Sequence, residues 1–224
     1  MDLPMGPDEF YTMFQLEGRS TGAVYKMRPE VHEKGIPPHW ALYIEAASVD
    51  DTAAKAGQAG GTVIESPFDV FNVGRMAVVQ DPTGAIFNIW EEKRPNSNGI
   101  AGVPGTFCWA DLCTRDIEAA VGFYGQVFGW QIAPGADDNS GYLHIKNGEA
   151  FIGGIPPAQF LPPGVPPHWQ LYFFVADADA ATARVKELGG TVHVEPMTIE
   201  KVGRMSLVAD PQGAVFSLFT PMAH

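Results

Sequence analysis

The chain has 224 residues, 46% of them hydrophobic, which is enough to bury one large or two modest cores. Its 14 basic and 26 acidic residues give a net charge of -12, which excludes a surface suited to nucleic-acid phosphates or anionic membranes. A small-molecule partner is therefore expected, and the lack of an apolar run of about 20 residues predicts a soluble, cytoplasmic protein.

A long internal repeat organises the chain. Residues 36–91 recur as residues 165–220 at a constant offset of 129, with 24 identities in 56 positions. The identities cluster in Pro-Pro-His-Trp, Gly-Gly-Thr-Val, Val-Gly-Arg-Met and Asp-Pro-x-Gly-Ala. A repeat of this length predicts duplicated modules of domain size rather than a solenoid.

The N-terminal part carries two strand signals, at Tyr11 to Leu16 and at Gly22 to Tyr25. Only 35 residues precede Ile36, whereas 62 run from Val103 to Gly164. We therefore predict tandem domains at residues 1–95 and 103–224, the first lacking its opening strand and helix. A late start site, a partner chain that completes the sheet and a genuinely shortened domain each explain this.

The second half is predicted in greater detail. A strand at Gly105 to Leu112 precedes a helix that Thr114 to Asp116 cap, which runs to about Phe128 and ends at Gly129. Helical spacing places one buried stripe on this helix, formed by Ile117, Val121, Tyr124 and Phe128. Further strands are predicted at residues 130–132, 142–146, 150–155, 169–175, 191–194, 204–209 and 214–219, with a helix at 178–188. The order is βαβββ twice, an α+β fold of paired βαβββ modules.

Several short motifs resemble one known family. The residues Asp-Ile-Glu-Ala-Ala-Val-Gly-Phe-Tyr from Asp116, Phe-Gly-Trp from Phe128 and Asp-Pro-Gln-Gly from Asp210 resemble the vicinal oxygen chelate superfamily. This group includes glyoxalases, bleomycin-resistance proteins and ring-cleaving dioxygenases, and the chain looks most like its tandem-domain bacterial glyoxalase-like members. The resemblance implies half-barrels in which paired modules curl around a cup, and in metal-dependent members the cup holds His and Glu ligands.

The resemblance also locates the ligand positions of the cup. In the second half they fall on Trp109, Gln170 and Ser217, and in the first half on Ala41 and Asn88. Imidazole and carboxylate groups, the usual ligands of a catalytic divalent ion, occur at none of them. We therefore expect no metal cofactor at these positions, while a divalent metal held by other ligands stays an alternative.

Alternation along the strand at Trp169 to Val175 separates a polar face from an apolar one. His168, Gln170 and Tyr172 share the cup face, while the apolar face should lie under helices. His168 and Tyr172 are the candidate catalytic residues, since both could exchange a proton with a ligand. Their counterparts in the first copy are His39 and Tyr43. The alternative is that each histidine caps the strand entrance by bonding a loop carbonyl.

Other candidate ligand-binding groups are arginines and aromatic residues. Arg75 and Arg204 could bind a carboxylate or phosphate, or could instead brace the Asp-Pro turn through Asp81 and Asp210. Trp109, Phe219 and Trp90 could form an aromatic pocket for a flat organic ligand, or belong to the core. The proline-rich segment at residues 155–167 could be a lid or simply a stiff connection.

These observations predict a glyoxalase-like protein that binds or transforms a small organic molecule in an aromatic-lined cup without the usual metal. A metal-dependent lyase or dioxygenase with unconventional ligands is the alternative. A third hypothesis is a non-enzymatic interaction module, in which the short first domain pairs with another chain, for example in a homodimer.

Overall fold

The computed structural model describes residues 2–6, 9–33, 35–94, 99–136 and 139–222. The chain has the mixed α+β fold of paired βαβββ modules that the sequence predicts. The strands are β1 (Asp2–Gly6), β2 (Glu9–Leu16), β3 (Arg19–Tyr25), β4 (Tyr43–Glu45), β5 (Thr62–Val70), β6 (Gly74–Gln80), β7 (Ile86–Glu92), β8 (Phe107–Cys113), β9 (Gln131–Pro134), β10 (Leu143–Asn147), β11 (Ala150–Ile155), β12 (His168–Phe174), β13 (Thr191–Ile199), β14 (Gly203–Ala209) and β15 (Val215–Pro221). The helices are α1 (Pro29–Glu33), α2 (Val49–Gln58), α3 (Ile117–Phe128) and α4 (Ala178–Glu187), with a 3-10 turn at Ala158–Phe160.

The chain folds into two compact units, each built from both copies of the repeat. Unit 1 comprises residues 1–40, 98–109 and 171–224, and unit 2 comprises residues 41–97 and 110–170. Strands β8 and β12 each contribute residues to both units. These units differ from the sequential division at residues 1–95 and 103–224, which stays a prediction about the order of the repeats along the chain.

Unit 2 contains two βαβββ modules. The first has the strand order β4-β7-β6-β5, and the second has the order β8-β11-β10-β9, in which β8 contributes its residues 110–113. The first strand of each module runs parallel to its neighbour, as in Tyr43 opposite Asn88 and Ala110 opposite Gly153. Gly153 is required at this pairing because a Cβ there would lie 2.2 Å from the Ala110 carbonyl oxygen.

Helix α3 closes the core of unit 2. The Asp116 side chain caps its first turn by accepting from the Ala119 N–H, and Gly129 ends it in the left-handed conformation with φ +71°. The Tyr124 ring stacks on Trp130 at 5.4 Å and meets Trp169 edge-on at 5.3 Å. The helix boundaries confirm the sequence prediction.

The buried face of α3 is rotated from the predicted stripe. The buried residues are Ala120, Phe123, Tyr124 and Val127, whereas Ile117, Val121 and Phe128 are only half-buried. Helix α3 packs against α2 as well as against aromatic side chains, so its covered surface is not the single stripe that helical spacing alone indicates. The edge of Phe123 meets Phe87 at 6.2 Å in this contact.

Unit 1 contains one complete module and a smaller sheet. The complete module orders its strands β13-β14-β15-β12, and the N-terminal strands form the sheet β1-β2-β3. Strands β2 and β3 confirm the predicted strands at Tyr11 to Leu16 and Gly22 to Tyr25. In both units the described helices are too short or too polar to cross a membrane.

Candidate functional site

Each unit carries an equivalent aromatic pair on two parallel strands. In unit 1 Tyr172 lies opposite Ser217, and its ring meets Phe219 edge-on at 6.4 Å. In unit 2 Tyr43 lies opposite Asn88, and its ring meets Trp90 edge-on at 6.2 Å. Ser217 and Asn88 are buried, so each aromatic pair adjoins a polar group protected from water.

The residues predicted to line one cup belong to two units. Trp109, Tyr172, Ser217 and Phe219 lie in unit 1, whereas Gln170 is a buried residue of unit 2. The structure thus brings Tyr172 together with Ser217 and Phe219. Strand β12 contributes residues to both units. A sequence pattern that assigns the whole strand to one domain therefore cannot predict that Gln170 and Tyr172 belong to different units.

The residues at the expected metal positions do not fit a catalytic divalent ion. The indole of Trp109 offers no lone pair to a metal, and the amide of Gln170 and hydroxyl of Ser217 are weak substitutes for imidazole and carboxylate. Among the described residues, no group of three or more His, Cys, Asp or Glu side chains is arranged to hold a metal ion.

The two repeated histidines bond to the loops that precede them. Nδ1 of His39 lies 2.9 Å from the Pro37 carbonyl oxygen, and Nδ1 of His168 lies 2.9 Å from that of Pro166. A carbonyl oxygen only accepts, so Nδ1 of each ring donates. These contacts favour the strand-entrance role, while proton transfer by His168 stays a prediction.

The two repeated arginines clasp helix N-termini. Arg75 Nε lies 2.6 Å from Asp50 Oδ2, and its Nη1 lies 2.9 Å from Asp69 Oδ1. In the second copy, Arg204 bonds both carboxylate oxygens of Asp179, with its Nη2 2.7 Å from Oδ1. Asp50 and Asp179 lie in the first turns of α2 and α4, where a negative charge is favourable.

The predicted bracing partners of these arginines were therefore wrong. The Asp81 and Asp210 carboxylates instead accept backbone N–H groups within their own turns, including those of Ala85 and Ala214 at 3.0 Å. The arginine contacts lower the carboxyl pKa of both Asp50 and Asp179 and raise the guanidinium pKa of Arg75. Because both guanidiniums are paired with carboxylates, these contacts favour a structural role at the helix N-termini, and ligand binding by Arg75 and Arg204 stays a prediction.

One polar pair of unit 2 was not identified from the sequence. The Tyr142 hydroxyl donates to Asp111 Oδ1 at 2.5 Å, and the Asp111 residue is only 6% exposed. The Tyr142 ring also meets the His144 ring edge-on at 5.1 Å. Asp111 pairs with Gly154 across β8 and β11, which places these groups on one face of the sheet.

Asp111 also affects a neighbouring thiol. Burial, and then the negative charge of Asp111, raise the pKa of Cys113 to about 12. Burial alone raises the pKa of Cys108 to about 11, and its thiol donates to the Tyr172 carbonyl oxygen at 3.4 Å. Neither thiol is disulfide-bonded, and such pKa values describe unreactive cysteines rather than nucleophiles.

The proline-rich segment at residues 155–167 is held by one arginine. Arg115 donates to the carbonyl oxygens of Pro162 at 2.7 Å and Val165 at 3.0 Å. Leu161 is buried, whereas Phe160 is 69% exposed. These contacts favour a fixed connection over a lid.

Comparison with known proteins identifies the family. A family model of the Glyoxalase/Bleomycin resistance protein/Dioxygenase superfamily matches residues 106–218. The chain is 38% identical over 218 residues to the Mycobacterium bovis protein named "Putative glyoxylase CFP32", covering 94% of this chain and 80% of the relative. It is 35% identical over 222 residues to the anthracycline biosynthesis protein DauV of Streptomyces sp., covering 93% of this chain and 78% of the relative.

Solved structures share the fold. The Mn(II)-bound glyoxalase of Novosphingobium aromaticivorans matches 80% of this chain and 61% of its own, with a TM-score of 0.57 and 18% identity. A catechol 2,3-dioxygenase matches 100% of this chain and 85% of its own, with a TM-score of 0.57 and 15% identity. With the family model and the curated relatives in agreement, the chain belongs to the glyoxalase, bleomycin-resistance and dioxygenase superfamily.

Proposed function

We propose that the chain binds a small organic molecule in the cup of unit 2 and orients it through Asp111 and Tyr142. The observation that carries this proposal is the 2.5 Å hydrogen bond from the Tyr142 hydroxyl to a buried carboxylate. Buried carboxylates are rare unless they are paired or functional. This pair lies in the unit that contains two complete βαβββ modules, the arrangement that forms a cup in the family.

The two groups supply complementary chemistry. The phenol of Tyr142 donates its one proton to Asp111, so the pair presents acceptor oxygens that can hold a hydroxyl group of a ligand. A carboxylate held against a phenol can also take and return a proton in the step that transforms a carbonyl compound. Tyr43 and Trp90 add an aromatic surface in the same unit, suited to a flat ligand.

The names of the relatives suggest two ligand probes. One relative is named as a glyoxylase and another as an anthracycline biosynthesis protein. The hemithioacetal of methylglyoxal and glutathione tests the first class, and an anthracycline tests the second. Calorimetric titration of the purified chain with each probe, followed by product analysis for the hemithioacetal, separates binding from turnover.

Three variants locate the site. Asp111→Asn and Tyr142→Phe should each weaken binding about tenfold, since the first removes the negative charge and the second removes the hydroxyl of a charge-assisted hydrogen bond. Tyr172→Phe is the matched control, because it alters the equivalent aromatic face of unit 1. If Asp111→Asn binds the probes as tightly as the wild type and Tyr172→Phe loses that binding, the site lies in unit 1 and the assignment to unit 2 is refuted.

Metal dependence forms the competing hypothesis. Because the described residues include no group of three or more His, Cys, Asp or Glu side chains arranged to hold a metal ion, binding of either probe should survive prolonged dialysis against a chelator. Elemental analysis that finds one divalent ion per domain, lost on replacing His168, would instead favour a metal-dependent lyase or dioxygenase.

A further inference from the structure

A row of polar and aromatic side chains extends from Asp111 and Tyr142 along one face of the sheet in unit 2. The Tyr142 ring meets the His144 ring edge-on at 5.1 Å, and the His144 ring meets that of Phe151 edge-on at 5.5 Å. Lys146 Nζ lies 4.7 Å from the centre of the Phe151 ring. Each member of the row therefore contacts the next, from a carboxylate at one end to an ammonium group at the other.

The basic half of this row is open to solvent. Residues 142, 144 and 146 alternate along the extended chain, so their side chains share a face, while Ile145 is fully buried on the opposite face. His144 and Lys146 are half-buried, and Phe151 is 55% exposed. A molecule in solution can therefore reach the imidazole, the ammonium group and the Phe151 ring directly.

The basic end of the row has no charged partner. Within the described part of the chain, the side chains of His144 and Lys146 form no hydrogen bond and no ion pair. Lys93, in the same unit, instead lies 2.8 Å from the Asp69 carboxylate. An ammonium group beside an imidazole N–H suits a carboxylate, because a carboxylate accepts hydrogen bonds from both.

The other copy of this hairpin shows that folding does not require the three basic and aromatic groups. Strands β2 and β3 repeat the register of β10 and β11 at an offset of 131, including its bulge, with Phe14 opposite Gly22 where Ile145 is opposite Gly153. The residues at the positions of His144, Lys146 and Phe151 are Met13, Gln15 and Ser20. The imidazole, the ammonium group and the ring are therefore particular to unit 2 and are not part of the shared scaffold.

We infer that the ligand of unit 2 is a hydroxylated aromatic carboxylate, whose hydroxyl donates to Tyr142 Oη and whose carboxylate accepts from Lys146 and His144. This inference rests on the proposed binding of a ligand at Asp111 and Tyr142 and adds the group that its other end must carry. Its flat body lies along the rings of His144 and Phe151, where aromatic contacts are favourable.

The extended chain sets the length of such a ligand. Tyr142 and Lys146 are four residues apart, so their Cα atoms are separated by about 13 Å. A hydrogen bond of about 3 Å at each end leaves roughly 7 Å for the distance between the two polar groups of the ligand. Two fused aromatic rings with a hydroxyl and a carboxylate at opposite ends meet this requirement.

The test is a fluorescence titration of the full chain at pH 7 with three naphthalenes. The compound 6-hydroxy-2-naphthoate carries both groups at opposite ends, 2-naphthol lacks the carboxylate and 2-naphthoate lacks the hydroxyl. The wild type should bind 6-hydroxy-2-naphthoate about tenfold more tightly than 2-naphthol, because the carboxylate adds a charge-assisted hydrogen bond. Equal affinity for these two compounds would overturn the inference.

Two lysine variants locate the carboxylate. Lys146→Gln keeps a polar side chain but removes the charge, so the preference for 6-hydroxy-2-naphthoate over 2-naphthol should fall to about twofold or less. Lys55→Gln is the matched control, because Lys55 is exposed on α2 of the same unit and its loss changes the net charge equally. It should retain the tenfold preference. An equal effect of the two variants would indicate long-range attraction only and would overturn the inference.

Tyr142→Phe separates a failure of this inference from a failure of the proposed function. It should weaken binding of 6-hydroxy-2-naphthoate and 2-naphthol and leave that of 2-naphthoate unchanged, and Asp111→Asn should show the same pattern. If both variants behave in this way but Lys146→Gln keeps the full preference, the basic end is wrong and the proposed function stands. If both variants bind all three compounds as the wild type does, the proposed function itself is refuted.

Discussion

Gly154 lies directly beneath the hydroxyl of Tyr142. A Cβ at Gly154 would stand 2.0 Å from Tyr142 Oη and 2.1 Å from Cζ of its ring, closer than any real contact allows. The absent side chain is what permits Tyr142 to cross β11 and reach Asp111. This glycine is therefore part of the candidate site although it carries no functional group.

The first prediction concerns Gly154→Ala. The added methyl should force Tyr142 away, break its bond to Asp111 and leave that buried carboxylate without one of its donors. We expect a loss of about 1–3 kcal/mol in the free energy of unfolding and the same loss of probe binding as in Tyr142→Phe. Urea unfolding and calorimetric titration measure the two effects.

Gly122→Ala is the matched control for that substitution. Gly122 lies in α3 and is exposed, and a Cβ added there would meet no atom within 4 Å, so alanine should stabilise the helix by about 0.5–1 kcal/mol. Probe binding should be unchanged. A Gly154→Ala protein that binds the probe normally would show that the pair of Asp111 and Tyr142 does not position the ligand.

The second prediction concerns the buried phenol of Tyr124. In Tyr124→Phe the ring contacts remain, but Trp169 Nε1 and Asp81 Oδ2 each lose a partner inside the core. Leaving two buried polar groups unsatisfied should cost about 2–4 kcal/mol of stability. The denaturation midpoint in urea measures this, and a cost below about 0.5 kcal/mol would contradict the bridging role.

The third prediction follows from the titration of the same residue. Burial, and then the charge of Asp81, raise the pKa of Tyr124 well above its ordinary value near 10. The raised pKa of Tyr124 stabilises the folded chain fully below pH 10. This stabilisation is lost as the pH rises above 10, because the Tyr124 hydroxyl ionises there only in the unfolded chain. The stability of the wild type should fall more steeply than that of Tyr124→Phe between about pH 10 and 12, by up to about 1.4 kcal/mol per pH unit. If the stabilities of the two proteins fell equally with pH, the raised pKa of Tyr124 would be contradicted.

The sequence predicts much of the fold because its local signals and its packing agree. Asp116 caps α3 and Gly129 ends it as capping chemistry requires, and the offset of 129 correctly transfers elements between the copies. The pairing of modules could not be predicted in this way. Trp169 packs against Tyr124 in unit 2 although Leu171, two residues later on the same strand, belongs to unit 1. Hydrophobic periodicity predicts which face of a strand or helix a residue occupies. It does not predict which module covers that face.

The candidate site was less accessible to sequence reasoning for a related reason. The resemblance to the family places a ligand position at Trp109. The polar pair of Asp111 and Tyr142 begins two residues later, at Asp111. A carboxylate inside the otherwise apolar strand β8 was the available signal. Its partner Tyr142 lies 31 residues away, and its approach depends on Gly154, whose role becomes visible only when β11 is placed beside β8.

The fourth prediction concerns the cysteines. The pKa of Cys108 is about 11 and that of Cys113 is about 12, against an ordinary value near 9. At pH 8 the ionised fraction of each thiol is therefore about a hundredfold or more smaller than in an ordinary cysteine. Reaction of the native chain with a disulfide reagent at pH 8 should be about a hundredfold slower than in 8 M urea. Rapid native labelling of either cysteine would contradict this protection.

The fifth prediction uses the repeat as its own control. Hydrogen bonds from Arg75 lower the pKa of Asp50, while Lys93 and then Arg75 lower that of Asp69, and Arg204 lowers that of Asp179. A lowered carboxyl pKa stabilises the fold above the unfolded value of about 3.9, and this stabilisation is lost as the pH falls through the folded value. Arg75→Gln should raise the NMR titration midpoint of Asp50 toward 3.9 and leave that of Asp179 unchanged.

Arg204→Gln should produce the reverse pattern, raising the midpoint of Asp179 and leaving that of Asp50 unchanged. The stability difference between the wild type and each variant should be present at pH 7 and shrink below about pH 4, because protonated carboxyls no longer pair with the guanidinium. These groups are exposed to solvent, so added salt should weaken the difference as well. If the Asp50 midpoint did not respond to Arg75→Gln, the bidentate clasp would not persist in solution, and Arg75 would again be available to bind a ligand.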